Sequence, residues 1–310
     1  MILDAIGNTP AVQLQRLPAP GSGAVWLKLE GGNPTGSYKD RVARAMVDGA
    51  LADGFDPSEQ RLLECTGGST GTSLAFVCAA RGIPLTIVSS DAYARAKLES
   101  MVALGAELLV EPSVGGRVTP DLWPRMRARA AAMVEAGTHR WVDQFENAHA
   151  PGGYAAMGAE LVAQVPAPID AFCGCVGTAG MLMGVGGAVR NAYPAARVVA
   201  LEPDTSPVLS GGEAGPHSID GTAAGFVPPL FDRGISTEVM ALSEARARET
   251  ARRLAREEGV FAGTSTGMNV LAALELSTRL GPESTVVTVA CDSGFKYLGD
   301  GLFTEGGPKR

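Results

Sequence analysis

Apolar runs of three to six residues recur along the chain, separated by longer stretches with helical spacing. The short runs predict strands at Val25–Leu29, Leu62–Cys65, Leu85–Ser89, Leu108–Val110, Trp141–Asp143, Ala171–Val176, Val198–Glu202, Val239–Leu242 and Val286–Cys291. The stretches between them predict helices at Asp40–Leu51, Gly71–Arg81, Ala94–Leu104, Leu122–Ala136, Gly153–Val165, Gly180–Ala192, Glu244–Glu258 and Thr266–Leu280. Strands that alternate with helices predict an α/β chain, with helices on both faces of mostly parallel sheets. One segment breaks the rhythm. From Pro203 to Arg233 the chain is Gly/Pro-rich and nonperiodic, and a long loop inside a compact chain is usually functional or poorly ordered.

Composition narrows this picture. With 310 residues, 45% hydrophobic and 19% charged, the chain is globular and makes one large domain or two ordinary ones. A net charge of −7 without a sustained basic run argues against nucleic acid as a partner. The arginines from Arg125 to Arg129 alternate with apolar residues and read as a solvated helix face. Of the five cysteines, Cys173 and Cys175 share one strand face. Core thiols are the default reading and a redox pair the minor one. His139, His149 and His217 have no ligand spacing, so no metal site is expected. The N-terminus lacks a signal-peptide layout, and no apolar run approaches the ~20 residues that span a bilayer. A soluble, cytoplasmic protein is expected. The polar, Gly-rich tail TEGGPKR is expected to be disordered.

In open parallel sheets, ligands gather beyond the carboxyl ends of strands, so the strand-to-helix turns hold the candidate chemistry. In "GGNPTGSYKDRVARAMV" a turn-rich run breaks into a helix at Lys39. A helix start disfavours a positive charge, which makes the neutral amine easier to reach, and a neutral amine condenses with an aldehyde. Taken alone, a snorkelling surface lysine is the commoner case. In "ECTGGSTGTSLAF", Thr66 to Gly71 combine small residues with three hydroxyls ahead of a helix, a cup for a carboxylate or phosphate. An ordinary capped turn explains any one of those hydroxyls. In "FCGCVGTAGMLMGVG", Gly177, Thr178, Ala179 and Gly180 lead into a helix whose backbone N–H groups suit a phosphate. A dinucleotide fold competes there: Glu202 ends the next strand, where such a fold keeps its ribose-binding acid, although the glycine spacing is G-x-x-G-x-x-G. Ser265, in a glycine-flanked turn, reads alone as a helix cap.

Taken in order, these turns resemble the cysteine synthase/cystathionine β-synthase family. Its "NPxxSxKDR" resembles Asn33 to Arg41, its "TSGNTG" resembles Thr66 to Gly71, and its "GTGGT" resembles Gly177 to Met181. Its "EPxxSPVLSGGxxGPHxIxGxGAGF" is similar to Glu202 through Phe226, its "IGNTP" to Ile6 through Pro10, and its "QFxNxxNP" to Gln144 through Pro151. The likeness covers almost the whole chain.

The resemblance implies a fold type II enzyme with two three-layer αβα domains. Residues 36–146 would form a smaller mobile domain, and 1–35 with 147–310 a larger cofactor-binding one. It implies pyridoxal 5'-phosphate, carried as an imine by Lys39, which would also move the proton at the substrate Cα. Cofactor contacts would come from Ser69, Gly177, Thr178, Ala179, Gly180, Met181 and Ser265, the last facing the pyridine nitrogen. Thr66, Gly67, Ser69, Thr70, Gln144 and Gly221 would bind the amino-acid substrate. The implied reaction is β-replacement on an O-activated L-serine through an α-aminoacrylate, with sulfide or another thiol as nucleophile. The alternatives are β-elimination, as in a cysteine desulfhydrase or a serine/threonine ammonia-lyase, and more distantly a dinucleotide-binding oxidoreductase. A homodimer is implied, and so is a complex with a serine acetyltransferase.

The departures fall on the substrate side. Gly67-Gly68-Ser69 stands where the family has Ser-Gly-Asn, which implies one hydroxyl fewer in the carboxylate clamp and a serine shorter than the asparagine that contacts the cofactor ring oxygen, leaving that contact to water. Ala179 replaces a glycine and Met181 a threonine. "GGYAAMGAEL" follows Pro151 where the family shows "TTGPEI". A preserved scaffold with altered binding positions predicts altered choice of donor or nucleophile.

Overall fold

The computed structural model describes residues 1–299 and 301–304, so the tail from Glu305 onward lies outside the described residues. From the N-terminus run β1 (Ala11–Gln13), β2 (Ala24–Leu29), α1 (Lys39–Ala52), β3 (Arg61–Cys65), α2 (Ser69–Arg81) and β4 (Leu85–Ser90). Next come α3 (Arg95–Ala103), β5 (Glu107–Glu111), α4 (Leu122–Glu135), β6 (His139–Trp141), α5 (Ala150–Gln164) and β7 (Ala171–Cys175). The chain finishes with α6 (Gly180–Ala192), β8 (Arg197–Pro203), β9 (Glu238–Leu242), α7 (Glu244–Glu257), α8 (Thr264–Leu280) and β10 (Thr285–Ala290). The chain is α/β with parallel-rich sheets, as its alternating pattern predicts.

It divides into two compact units. One holds Met1–Ile6 with Lys39–Gly153, the other Gly7–Tyr38 with Tyr154–Arg310. The first unit contains a four-stranded sheet in the order β5-β4-β3-β6, parallel throughout. Its central strands β3 and β4 are buried along nearly their whole length, which is why neither shows a regular apolar/polar alternation. The second unit contains a six-stranded sheet in the order β1-β2-β10-β7-β8-β9. All its pairs are parallel except β1 with β2. Its core is built by β2, β7, β8 and β10 against the apolar face of α8. Lys28, buried in β2, is paired with Glu160 at 2.6 Å and donates to Gln164.

Two local differences from the sequence reading have simple causes. β1 is a three-residue antiparallel edge strand, too short to show a period. β6 is His139–Trp141 rather than Trp141–Asp143, because it pairs from Arg61↔His139 to Leu63↔Trp141. Asp143 then turns away with a left-handed φ of 45°. The arginine face of α4 is also less solvated than its pattern suggests. Arg129 reaches Glu111 at 2.8 Å, Arg127 reaches Asp143 at 3.2 Å, and the Arg127 guanidinium lies 4.5 Å from the Trp141 ring centroid.

Candidate active site

The run leading to Lys39 is a built turn. Asn33 is buried and donates through Nδ2 to the Glu30 carbonyl and carboxylate, both at 2.8 Å, while its Oδ1 accepts from Gly7 N at 2.9 Å. Gly36 closes the turn with a φ of 73° and donates to Asn33 O at 2.7 Å. That left-handed conformation is open to glycine. Lys39 is then the first residue of α1.

In the first unit, β3 delivers the chain into the Thr66–Gly71 turn. Gly68 is the extended N-cap of α2, and Thr66 Oγ1 accepts from its N–H at 3.2 Å. Thr66 and Thr70 are buried. Thr70 Oγ1 donates to Gln144 Oε1 at 2.8 Å, so two of the expected substrate residues, 74 positions apart, meet directly. Beneath them lies Glu64, 1% exposed. Its Oε2 accepts from Gln144 N at 3.1 Å and its Oε1 from Cys65 N at 2.9 Å. Burial, with Asp143 nearby, pushes the Glu64 carboxyl up to about 8, even though the two backbone N–H groups favour its ionised form. Gly71 leaves no room for a side chain, since a Cβ would lie 2.6 Å from Met101 and 2.8 Å from Thr66.

In the second unit, β7 ends at the Gly177–Gly180 turn. A Cβ on Gly177 would lie 2.2 Å from the Gly221 carbonyl oxygen, so only glycine fits. Ala179 caps α6 with a φ of 68°. A left-handed alanine costs about 1–2 kcal/mol, which the turn retains because it aims the next backbone N–H groups outward from one helix start. Met181 folds back against the strand, its Cε being 2.7 Å from the place of a Cβ on Gly174. The Met181 side chain therefore belongs to the core, and only its backbone N–H suits a phosphate.

The Gly221 loop and the start of α8 converge on this turn. Ala223 N donates to Val176 O at 2.9 Å, and Asp220 N donates to Thr264 Oγ1 at 3.2 Å. Ser265, buried in the first turn of α8, accepts from Cys175 Sγ at 3.5 Å through its carbonyl. Asn269 locks the same corner: its Oδ1 accepts from Cys175 N, and its Nδ2 donates to Val289 O, both at 2.8 Å. Cys173 and Cys175 are free, buried thiols facing α8. Burial pushes the Cys173 thiol up to about 12, so it packs rather than reacts.

One sequence reading resolves here. Glu202, the candidate ribose acid, is buried and accepts from Leu209 N at 2.6 Å and Ser210 N at 2.9 Å. It anchors the long loop after β8, and the dinucleotide reading loses its acid. The residues of this site that sequence reasoning missed are Glu64 and Asn269. An acid inside the apolar run LLEC was the available sign for Glu64, whereas nothing local marks Asn269.

The glycine turns offer backbone N–H groups to a phosphorylated ligand at strand ends and helix starts. The family model described as "Pyridoxal-phosphate dependent enzyme" matches residues 2–292, and the chain belongs to that family. It is 37% identical over 305 residues to a cysteine synthase of Staphylococcus aureus strain Mu50, covering 98% of this chain and 96% of the relative. It is 39% identical over 313 residues to an O-ureido-L-serine synthase of Streptomyces lavendulae, covering 97% and 92%. Among solved structures, O-acetyl serine sulfhydrylase isoform 3 from Entamoeba histolytica superposes with a TM-score of 0.92 at 30% identity, covering 98% and 91% of the two chains. Among the described residues no group of His, Cys, Asp and Glu could hold a metal ion, and no helix is long and apolar enough to cross a membrane.

Proposed function

We propose that the protein is a pyridoxal 5'-phosphate dependent enzyme of β-replacement on an O-activated L-serine, making L-cysteine from O-acetylserine and sulfide or a close variant of that pair. The observation that carries this reading is the convergence of Gly177–Gly180, Gly221 and Ser265 on one corner of the second unit. Its glycine at 177 has no space for a Cβ, as a backbone phosphate cradle requires.

The residues fit the cofactor. Backbone N–H groups of Gly177, Thr178, Ala179, Gly180 and Met181 would hold its phosphate, Ser265 would face its ring nitrogen, and Lys39 would carry it. When bound, it supplies an electron sink for the pair of electrons left at the substrate Cα. Lys39 Nζ takes and returns the Cα proton. Ser265 offers a hydroxyl where a carboxylate would hold the ring protonated. That keeps the sink moderate and favours prompt departure of the β-substituent. Thr66, Thr70 and Gln144, with Ser69 at the start of α2, bind the substrate carboxylate, and the altered loop at Gly67 and Ser69 tunes which donor is accepted. The smaller unit, with Lys39–Gly153 where the resemblance implied 36–146, moves during turnover to exclude water. The same reading gives a cytoplasmic homodimer and a docking role for a serine acetyltransferase.

Purified enzyme given O-acetyl-L-serine, O-phospho-L-serine or L-serine, each with sulfide or homocysteine, tests the proposal. A thioether or cysteine product from one pair is expected. No product from any pair sinks it, and pyruvate with ammonia in the presence of thiol transfers the assignment to β-elimination. Lys39→Ala should lower turnover at least about 10³-fold.

A further inference from the structure

The substrate loop has a glycine at 67, and the structure shows what took its side chain's place. A Cβ built on Gly67 would lie 2.0 Å from Cγ of Tyr93, 2.1 Å from Cδ2 and 2.4 Å from Cδ1. The clash is with the base of the ring, which cannot retreat as the tip of a flexible chain would. At Gly68, one residue on, an added Cβ meets nothing within 4 Å, so the crowding belongs to position 67. Tyr93 reaches this place from the turn between β4 and α3, where its N–H donates to Ser90 O at 3.2 Å. The ring packs on the buried cluster of Leu63, Cys65, Val88 and Leu122, which fixes it over the loop. The ring therefore fills the space that a side chain at 67 would take. Burial raises the phenol's pKa, so the hydroxyl stays a donor.

We propose that Tyr93 is a specificity-determining residue of the substrate loop: its ring replaces the side chain of residue 67, and its phenol gives the substrate carboxylate the hydroxyl that Gly67 lacks. The inference rests on the β-replacement reading of this site. A phenol on a rigid stem delivers its hydrogen bond from a different direction than a serine would, and its ring adds an apolar wall that a serine does not. Positions 67 and 93 therefore act as one unit, in which a side chain at one excludes the ring at the other.

The test compares wild-type holoenzyme with Tyr93→Phe, Tyr93→Ala, Gly67→Ser and the Gly67→Ser/Tyr93→Ala double variant. Melting temperature without substrate and KM and kcat for O-acetyl-L-serine are the readouts. Tyr93→Phe should raise KM about tenfold with kcat unchanged, the mark of a lost hydrogen bond to a charged group. Gly67→Ser alone should lower the melting temperature by several degrees and raise KM. Adding Tyr93→Ala should restore both, because the serine then has room and returns a hydroxyl. An unchanged KM in Tyr93→Phe, or a double variant no better than Gly67→Ser, overturns the proposal. A wild-type protein that turns over no donor sinks the proposed function and the phenol's role with it, while the melting temperatures alone still decide whether ring and glycine are coupled.

Discussion

The turn after β3 and the turn after β7 each lead a buried strand through glycines into a helix, but they are made of different materials. After β7 the geometry is carried by backbone. Gly177 is wedged against the Gly221 carbonyl oxygen, Ala179 is left-handed, and the Met181 side chain is turned into the core. After β3 the geometry is carried by side chains that arrive from elsewhere in the sequence. Gln144 bonds to Thr70 and Glu64, and Tyr93 covers Gly67. A backbone cradle can be broken at its tightest glycine but hardly retuned. A side-chain cradle can be altered one residue at a time. The proposed division of labour follows: a fixed phosphate site in one unit, and an adjustable amino-acid site in the other.

The largest effect expected from this contrast comes from placing the same substitution in both turns. Gly177→Ala drives a methyl to 2.2 Å from a backbone oxygen, and the loop must shift to relieve it. Overpacking of that kind costs about 1–3 kcal/mol, and the purified variant should retain less than about a tenth of the wild-type cofactor. Gly68→Ala meets nothing within 4 Å, and an N-cap alanine in place of glycine costs about 0.5–1 kcal/mol, with the cofactor retained. Denaturant melts and cofactor absorbance on the two variants decide the matter. Equal losses in both would erase the distinction between the turns.

A smaller effect is expected at Glu64, and it depends on pH. Charged and titratable groups around it are Asp143, held by Arg127 at 3.2 Å, and the Cys65 thiol. Because its folded carboxyl is pushed up to about 8 from an ordinary 4.5, the folded protein holds a proton that the unfolded chain releases. Its contribution to stability is complete below about 4.5 and is lost as pH rises through about 8. The wild type should therefore lose on the order of 4 kcal/mol more than Glu64→Gln between pH 5 and pH 9, as an upper bound. At pH 5 the variant should be less stable by about 1 kcal/mol, since an amide NH₂ cannot accept one of the two backbone N–H bonds. Parallel urea-melt profiles across that range would contradict the buried, protonated carboxyl.

The same contrast explains what could be read from the sequence. Among the described residues the eight α-helices and nine of the ten strands have local periods, and the Gly177 turn is visible because a backbone cradle needs closely spaced glycines. The proposed substrate loop is half visible. Its small residues and hydroxyls stand together, but its supports do not. Gln144 N reaches Glu64 across 80 residues, and Tyr93 reaches Gly67 across a strand and a helix. A glycine at 67 looks like a simple loss of a hydroxyl until the ring that displaces it is seen. The division near Lys39 is equally nonlocal: α1 opens the contiguous part of one unit, while the turn before it is tied to Glu30 and Gly7 in the other.

The smallest expected effect tests the side-chain cradle at its most exposed link. Thr70→Val keeps the shape of a buried residue but removes the hydroxyl that donates to Gln144 Oε1 at 2.8 Å. Gln144 is only part-buried, so water can take over that oxygen, and the fold should lose no more than about 1 kcal/mol. The carboxamide loses its fixed orientation, which weakens carboxylate binding in the ground state and the transition state alike. KM for the donor should rise roughly threefold while kcat stays the same. A Thr70→Val variant whose kcat falls with an unchanged KM would mean that this link is felt only in the transition state, and the loop would then belong to the chemistry rather than to substrate choice.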